Sequence, residues 1–190
     1  MWGPAMDWVG YAIVAAIVLY AIMTYNDLVR LRARAQQAYA DVDVQLKQRH
    51  DLIPNLVETV KGYAAHERET LDAVVQARNE AIAAQGPAQQ ASAEAALNGS
   101  LGRLLALGEA YPELKADENF RQLQTDLGEV EDKLAAARRF FNNAVSEYNA
   151  AIESFPALLF SRPMGFAPRD FFDLGDGERQ RLGTAPQVKF

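Results

Sequence analysis

With 190 residues, a net charge of −6 and no cysteine, the chain has room for one helical or mixed domain with a continuous core, but not comfortably for two. The acidic balance excludes a nucleic-acid binder, which needs a basic face to replace the counterions on phosphate. Without cysteine there is no disulfide framework and no thiol chemistry, and either side of a membrane remains open as a compartment.

The first element, residues 8–26, carries no charge. Its roughly 19 residues match the ~20 a helix needs to cross a hydrocarbon core of ~30 Å, and Val9, Ile13, Val14, Ile17, Val18, Leu19 and Ile22 suit lipid contact. Trp8 and Tyr25 stand at its edges, where amphipathic rings favour the headgroup layer. A cleaved signal peptide is the alternative. The leader lacks Lys and Arg, and the apolar run exceeds the ~7–15 residues of a signal core, so a retained transmembrane helix is expected. Only Asp7 precedes the run, whereas Arg30, Arg32 and Arg34 follow it. The positive-inside rule then places the N-terminus outside a bacterial inner membrane and the rest of this single-pass protein in the cytoplasm.

From Leu28 onward, apolar or small residues recur mostly three or four apart, at Leu31, Ala35, Ala38, Val42, Leu46, Ile53, Leu56, Val60, Ala64, Leu71 and Val74, with Arg78 closing the series. This stripe predicts an amphipathic helix, continuous with the anchor to about residue 84. Pro54 strains it by removing an amide donor and crowding the carbonyl of His50, and Gly62 adds a weak point. Residues 85–90 read as a loop. A helix over residues 91–110 follows, with Leu97, Leu101, Leu104 and Leu105 on one side; Gly99, Gly102 and Gly108 weaken it unless they serve close packing. Tyr111 and Pro112 end or bend it.

The clearest periodicity runs through Phe120, Leu123, Leu127, Val130, Leu134, Ala137, Phe141, Ala144, Tyr148, Ala151 and Phe155, a seam that packs against other helices. Pro156 stops it. The remainder holds Pro163, Pro168, Gly175, Gly177 and Pro186 with the aromatics Phe160, Phe166, Phe171, Phe172 and Phe190, and reads as a non-helical tail packed on the helices by apolar anchors. The fold expected is all-α: flank 1–7, transmembrane helix 8–26, an antiparallel bundle of long helices over 27–155, and the tail 156–190.

Three segments resemble the LemA family of bacterial membrane-anchored proteins: "YNDLVRLRARAQQAYADVDVQLKQRHDLIPNLVETVKGYAAHERETL" from residue 25, "YPELKADENFRQLQTDLGEVEDKLAAARRFFNNAVSEYNAAIESFP" from residue 111, and the closing Pro186, Gln187, Val188, Lys189, Phe190. They cover well over half the chain in the family's order. The resemblance implies one N-terminal transmembrane helix followed by an antiparallel bundle, no established reaction, and one branch associated with magnetosome membranes. Two positions depart from the family pattern: Phe141 stands where a tyrosine is frequent, and Gly128 replaces a better helix former.

Candidate chemistry is sparse. His50, Asp51, Glu58, His66, Glu67 and Glu69 fall in one helical stretch, but a di-metal bundle needs Glu three residues before each His, and Lys47 and Tyr63 stand there. No nucleophile triad or phosphate loop suggests itself, so neither catalytic nor metal nor cofactor residues are assigned, and both histidines read as parts of a polar helix face. Gln45 and Arg49 interrupt the first stripe, and Glu131, Arg138, Asn142 and Asn149 flank the later seam. A buried arginine needs a carboxylate, so Arg49 or Arg138 is expected to pair across helices with Glu58 or Glu131 and set their register, unless these are solvated helix edges. The function expected is a non-enzymatic membrane-anchored scaffold or oligomerising envelope protein, with the bilayer and its own copies as partners; the alternative is a monomeric adaptor of one membrane enzyme or transporter.

Overall fold

A computed structural model describes residues 5–159 and 161–173, with side chains from Trp8 onward. Five α-helices follow in chain order: α1 Ala5–Tyr63, α2 Arg68–Ala83, α3 Gly86–Ala110, α4 Pro112–Ala116 and α5 Glu118–Glu153, then a 3-10 turn at Ala157–Leu159. The described residues contain no strand.

α1 is one helix of 59 residues that carries the apolar run and passes through Pro54 unbroken. It does not continue to residue 84. The chain leaves the helix at Tyr63 and re-enters at Arg68, with the Glu67 amide reaching back only as far as the Ala64 carbonyl. Gly62 and the buried Ala64 sit at this corner, where the apolar stripe must turn to cover itself. The loop expected over residues 85–90 is also shorter than read. Gly86 takes a left-handed φ of 78°, and Pro87 stands in the first turn of α3, where a missing amide donor costs nothing.

By its contacts the chain forms two compact units, the first from the described residues up to Ala38 with Asn143–Arg169, the second from Tyr39–Asn142 with the described residues from Asp170. In the second unit the direction of each helix is fixed by cross-helix pairs. Tyr39 meets Phe141, Arg49 meets Glu131 and Tyr63 meets Asp117, so α1 and α5 run antiparallel. Tyr39 pairs with Gln90 and Arg49 with Glu94 and Asn98, so α1 and α3 run parallel. α2 returns between them, with Arg78 beside His50 and Glu67 beside Tyr111. The result is an up-down-up-down antiparallel bundle.

Its core is the sum of the stripes: Ile53, Leu56 and Val60 of α1, Val74 of α2, Leu97 and Leu104 of α3, Leu114 of α4 and Phe120 of α5 are all buried. Of Gly99, Gly102 and Gly108 in α3, only Gly108 serves close packing: a Cβ there would lie 2.9 Å from Phe120 Cε1, whereas Gly99 and Gly102 face open space.

In the first unit Leu28 packs with Tyr148, Ile152, Ala157 and Phe166. Arg34 Nη1 donates to Glu147 Oε2 at 2.7 Å, so here too α1 and α5 run antiparallel. The seam holds as far as Tyr148 and then departs from the expectation. Ile152, one turn after Tyr148 in the same helix, is buried, whereas Phe155 is 81% exposed because α5 ends at Glu153 and the chain there no longer follows the helical register. Phe166 and Phe172 are buried anchors of the segment after Pro156; Gly175, Gly177, Phe190 and the closing Pro186 to Phe190 pattern lie outside the described residues, as does Phe160.

Candidate functional site: a buried ion network

The polar residues that interrupt the helix stripes converge inside the second unit. Arg49 and His50 are neighbours on α1, where the stripe turns past Leu46 toward Ile53, and both are buried. α3 answers with Glu94, 1% exposed, set between Ala91 and Leu97 on its apolar face. Arg49 Nη1 donates to Glu94 Oε2 at 2.8 Å, and His50 Nε2 lies 2.6 Å from Glu94 Oε1, so the carboxylate spends both oxygens on α1. Arg49 Nη2 also donates to Asn98 Oδ1 and lies 3.3 Å from Glu131 Oε2 of α5, an ion pair without hydrogen-bond alignment. Arg138 Nη2 donates to Glu131 Oε1 at 2.8 Å and stands over the Phe172 ring.

A chain of polar contacts therefore runs from His50 through Glu94, Arg49 and the half-exposed Glu131 to Arg138 and ties three helices together. Buried charges are tolerated only where partners replace the lost water, and here each guanidinium has a carboxylate. Gln45 Oε1, one turn before Arg49, is buried without a hydrogen-bond partner among the described residues. The arrangement is suited to fixing helix register. One oxygen of Glu94 is held by the Arg49 guanidinium and the other by the His50 imidazole.

The expected pairing of Arg49 or Arg138 with Glu131 is present for both arginines, Arg49 across helices and Arg138 along its own helix. Glu58 takes no part: it is exposed and pairs with Lys61 at 3.2 Å. His50 is not a polar helix face, since it is buried against Glu94; His66 is exposed. Asp51 and Glu69 are exposed too, and Glu67 accepts a hydrogen bond from the Tyr111 hydroxyl at 3.1 Å. Among the described residues, no three His, Asp or Glu gather as a metal site would need. The member that sequence reasoning missed is Glu94. Its signal was positional: an acid three residues before Leu97, on the face that continues to Leu101 and Leu104.

At the far end of the same unit Asp117 caps α5. Its Oδ1 accepts the Phe120 amide at 2.8 Å and its Oδ2 the Tyr63 hydroxyl at 2.9 Å. The Phe120 amide and then the Tyr63 hydroxyl hold the Asp117 carboxyl below its ordinary value, and the bond to Asp117 raises the Tyr63 phenol. The same effect from Glu67 raises Tyr111. Asn142 and Asn149 act as clamps. Asn149 exchanges two hydrogen bonds with the Arg169 backbone, both 2.9 Å, in the first unit. Asn142 does the same with the Phe172 backbone in the second, at 3.0 and 2.9 Å.

α1 is the described helix long and apolar enough to cross a membrane, and none of its apolar window is buried. Magnetosome protein MamQ of Magnetospirillum gryphiswaldense is 26% identical, covering 83% of this chain and 67% of the relative. Magnetosome protein MamQ 2 of Paramagnetospirillum magneticum is also 26% identical, over 84% of this chain and 68% of its own. Protein LemA of Metamycoplasma hominis is 26% identical, over 84% and 74%. The sequence model of the LemA family matches residues 38–190, which takes in the whole ion network and both asparagine clamps. That long a match over a membrane-associated helical protein makes the chain a member of the LemA family.

Proposed function

We propose that this chain is a non-enzymatic, membrane-anchored scaffold that acts through lateral contacts with its own copies. The observation that carries the reading is the ion network: Arg49, His50, Glu94 and Arg138, the buried ionisable residues of the bundle, are bound to one another through Glu94 and the half-exposed Glu131. What the bundle presents outward is helix surface, including the exposed apolar residues Val44, Val75 and Ile82. A protein held in two dimensions by its anchor is already concentrated for such contacts. The basic residues Arg30, Arg32 and Arg34 directly after the apolar run support an N-terminus outside the membrane and helical units in the cytoplasm.

The test is single-cysteine crosslinking in membranes at Ala33, Val44 and Val75, together with the mass in mild detergent. Crosslinked dimers or larger species at one or more positions are expected. A monomer that crosslinks nowhere overturns the scaffold and makes a monomeric adaptor of another membrane protein the better account.

A further inference from the structure

The first unit brings a second apolar surface to the end of the anchor. Phe166 packs edge-on against Tyr25, ring centroids 5.6 Å apart, and the Arg32 guanidinium covers it from the other side, 5.5 Å from the ring. Leu28 closes the same cluster with Ile152 and Ala157. The turn that follows α5 is thereby held beside residues 25–28, where the apolar run ends. Within residues 8–26, Ala21 and Thr24 alone are half-buried rather than exposed, on the face that continues to Leu28.

This turn is built, not frayed. The buried Ser161 hydroxyl donates to the Ile152 carbonyl at 3.1 Å, its amide to the Ala157 carbonyl at 2.8 Å, and its carbonyl accepts the Phe166 amide at 2.9 Å. Yet the residues it displays are apolar: Phe155 is 81% exposed, Leu159 68%, Leu158 50% and Met164 50%, with the exposed Arg162 between them. Large side chains of this kind, close together at Phe155, Leu158, Leu159 and Met164, mark a contact surface.

We propose that this turn is a second membrane contact, with Phe155, Leu158, Leu159 and Met164 inserted at the headgroup and acyl boundary of the bilayer that α1 crosses, and Arg162 among the headgroups. The occupant is lipid because the surface is continuous with the lipid-facing anchor: the cluster of Tyr25, Leu28 and Phe166 fixes it at that level. An apolar patch with a basic residue at its edge is also the composition that favours an anionic interface. The inference rests on the anchor reading above, and the experiment separates the two.

With no cysteine in the chain, Leu159→Cys, Leu158→Cys, Ile17→Cys and Ala33→Cys each carry one environment-sensitive nitrobenzoxadiazole label in the full-length protein. The labelled proteins are reconstituted in phosphatidylcholine and phosphatidylglycerol vesicles containing lipids that carry doxyl quenchers at both shallow and deep acyl positions. The labels at 158 and 159 should emit blue-shifted light and be quenched along with that at 17, while the label at 33 should not. Quenching at 17 with 158 and 159 matching 33 would overturn the proposal and leave the anchor standing. A blue shift at 158 and 159 that tracks protein density and ignores the lipid quencher would also overturn it, in favour of a second copy. Loss of quenching at 17 would remove the anchor and the proposal together.

Discussion

Arg78 Nε donates to the His50 carbonyl at 2.8 Å, supplying from α2 the hydrogen bond that Pro54 takes from α1. A proline inside a helix orphans the carbonyl four residues before it, and a buried orphan is costly. Here the repair also docks the returning helix at the residue whose side chain binds Glu94.

Arg78→Ala should therefore destabilise the protein by about 1–3 kcal/mol in chemical denaturation. In a Pro54→Ala background, where the backbone can restore its own bond, the same change should cost distinctly less. Equal costs in both backgrounds would show that Arg78 stabilises through something other than this carbonyl.

Glu94→Ala should be among the most damaging substitutions, since it takes from Arg49 its fully buried carboxylate partner and from His50 the carboxylate that holds it at 2.6 Å. Breaking one side of a buried pair costs about 3–5 kcal/mol, whereas replacing both partners by apolar residues of similar volume is close to neutral. The double variant Arg49→Met with Glu94→Leu should recover much of the lost thermal stability, and failure to recover would locate the cost in packing.

Each asparagine clamp should protect the backbone it holds. Asn149→Ala should raise amide exchange at Arg169, and Asn142→Ala at Phe172, because each change removes both a donor and an acceptor from the tail segment. Asn142→Asp should fail to rescue, since a carboxylate cannot donate to the Phe172 carbonyl.

Asp117 and Tyr63 make stability depend on pH at opposite ends of the scale. The lowered Asp117 carboxyl contributes stability present above its unfolded value of about 4 and lost as pH falls through the still lower folded value. The raised Tyr63 phenol contributes stability present below about 10 and lost as pH rises through its folded value. Asp117→Asn keeps a capping side chain but cannot titrate, so its melting temperature should fall less between pH 5 and 2 than that of the parent protein, a range given as about three units.

The apolar run, the helix stripes and the α5 seam up to Tyr148 were legible because a helix face repeats every three to four residues and burial follows that repeat. The arginines were legible as groups needing partners, because a buried guanidinium is costly alone. Their partners were not. Glu94 looks like any surface acid until α3 turns it inward beside Arg49, and Arg78, in register with the apolar stripe, has no visible partner until α2 folds back onto the His50 carbonyl. The corner at Tyr63, the exposure of Phe155 and the Asn142 and Asn149 clamps were likewise decided by contacts between segments distant in the chain. Periodicity determines which face of a helix is buried; only tertiary packing determines what lies opposite that face, and so which polar group finds its partner.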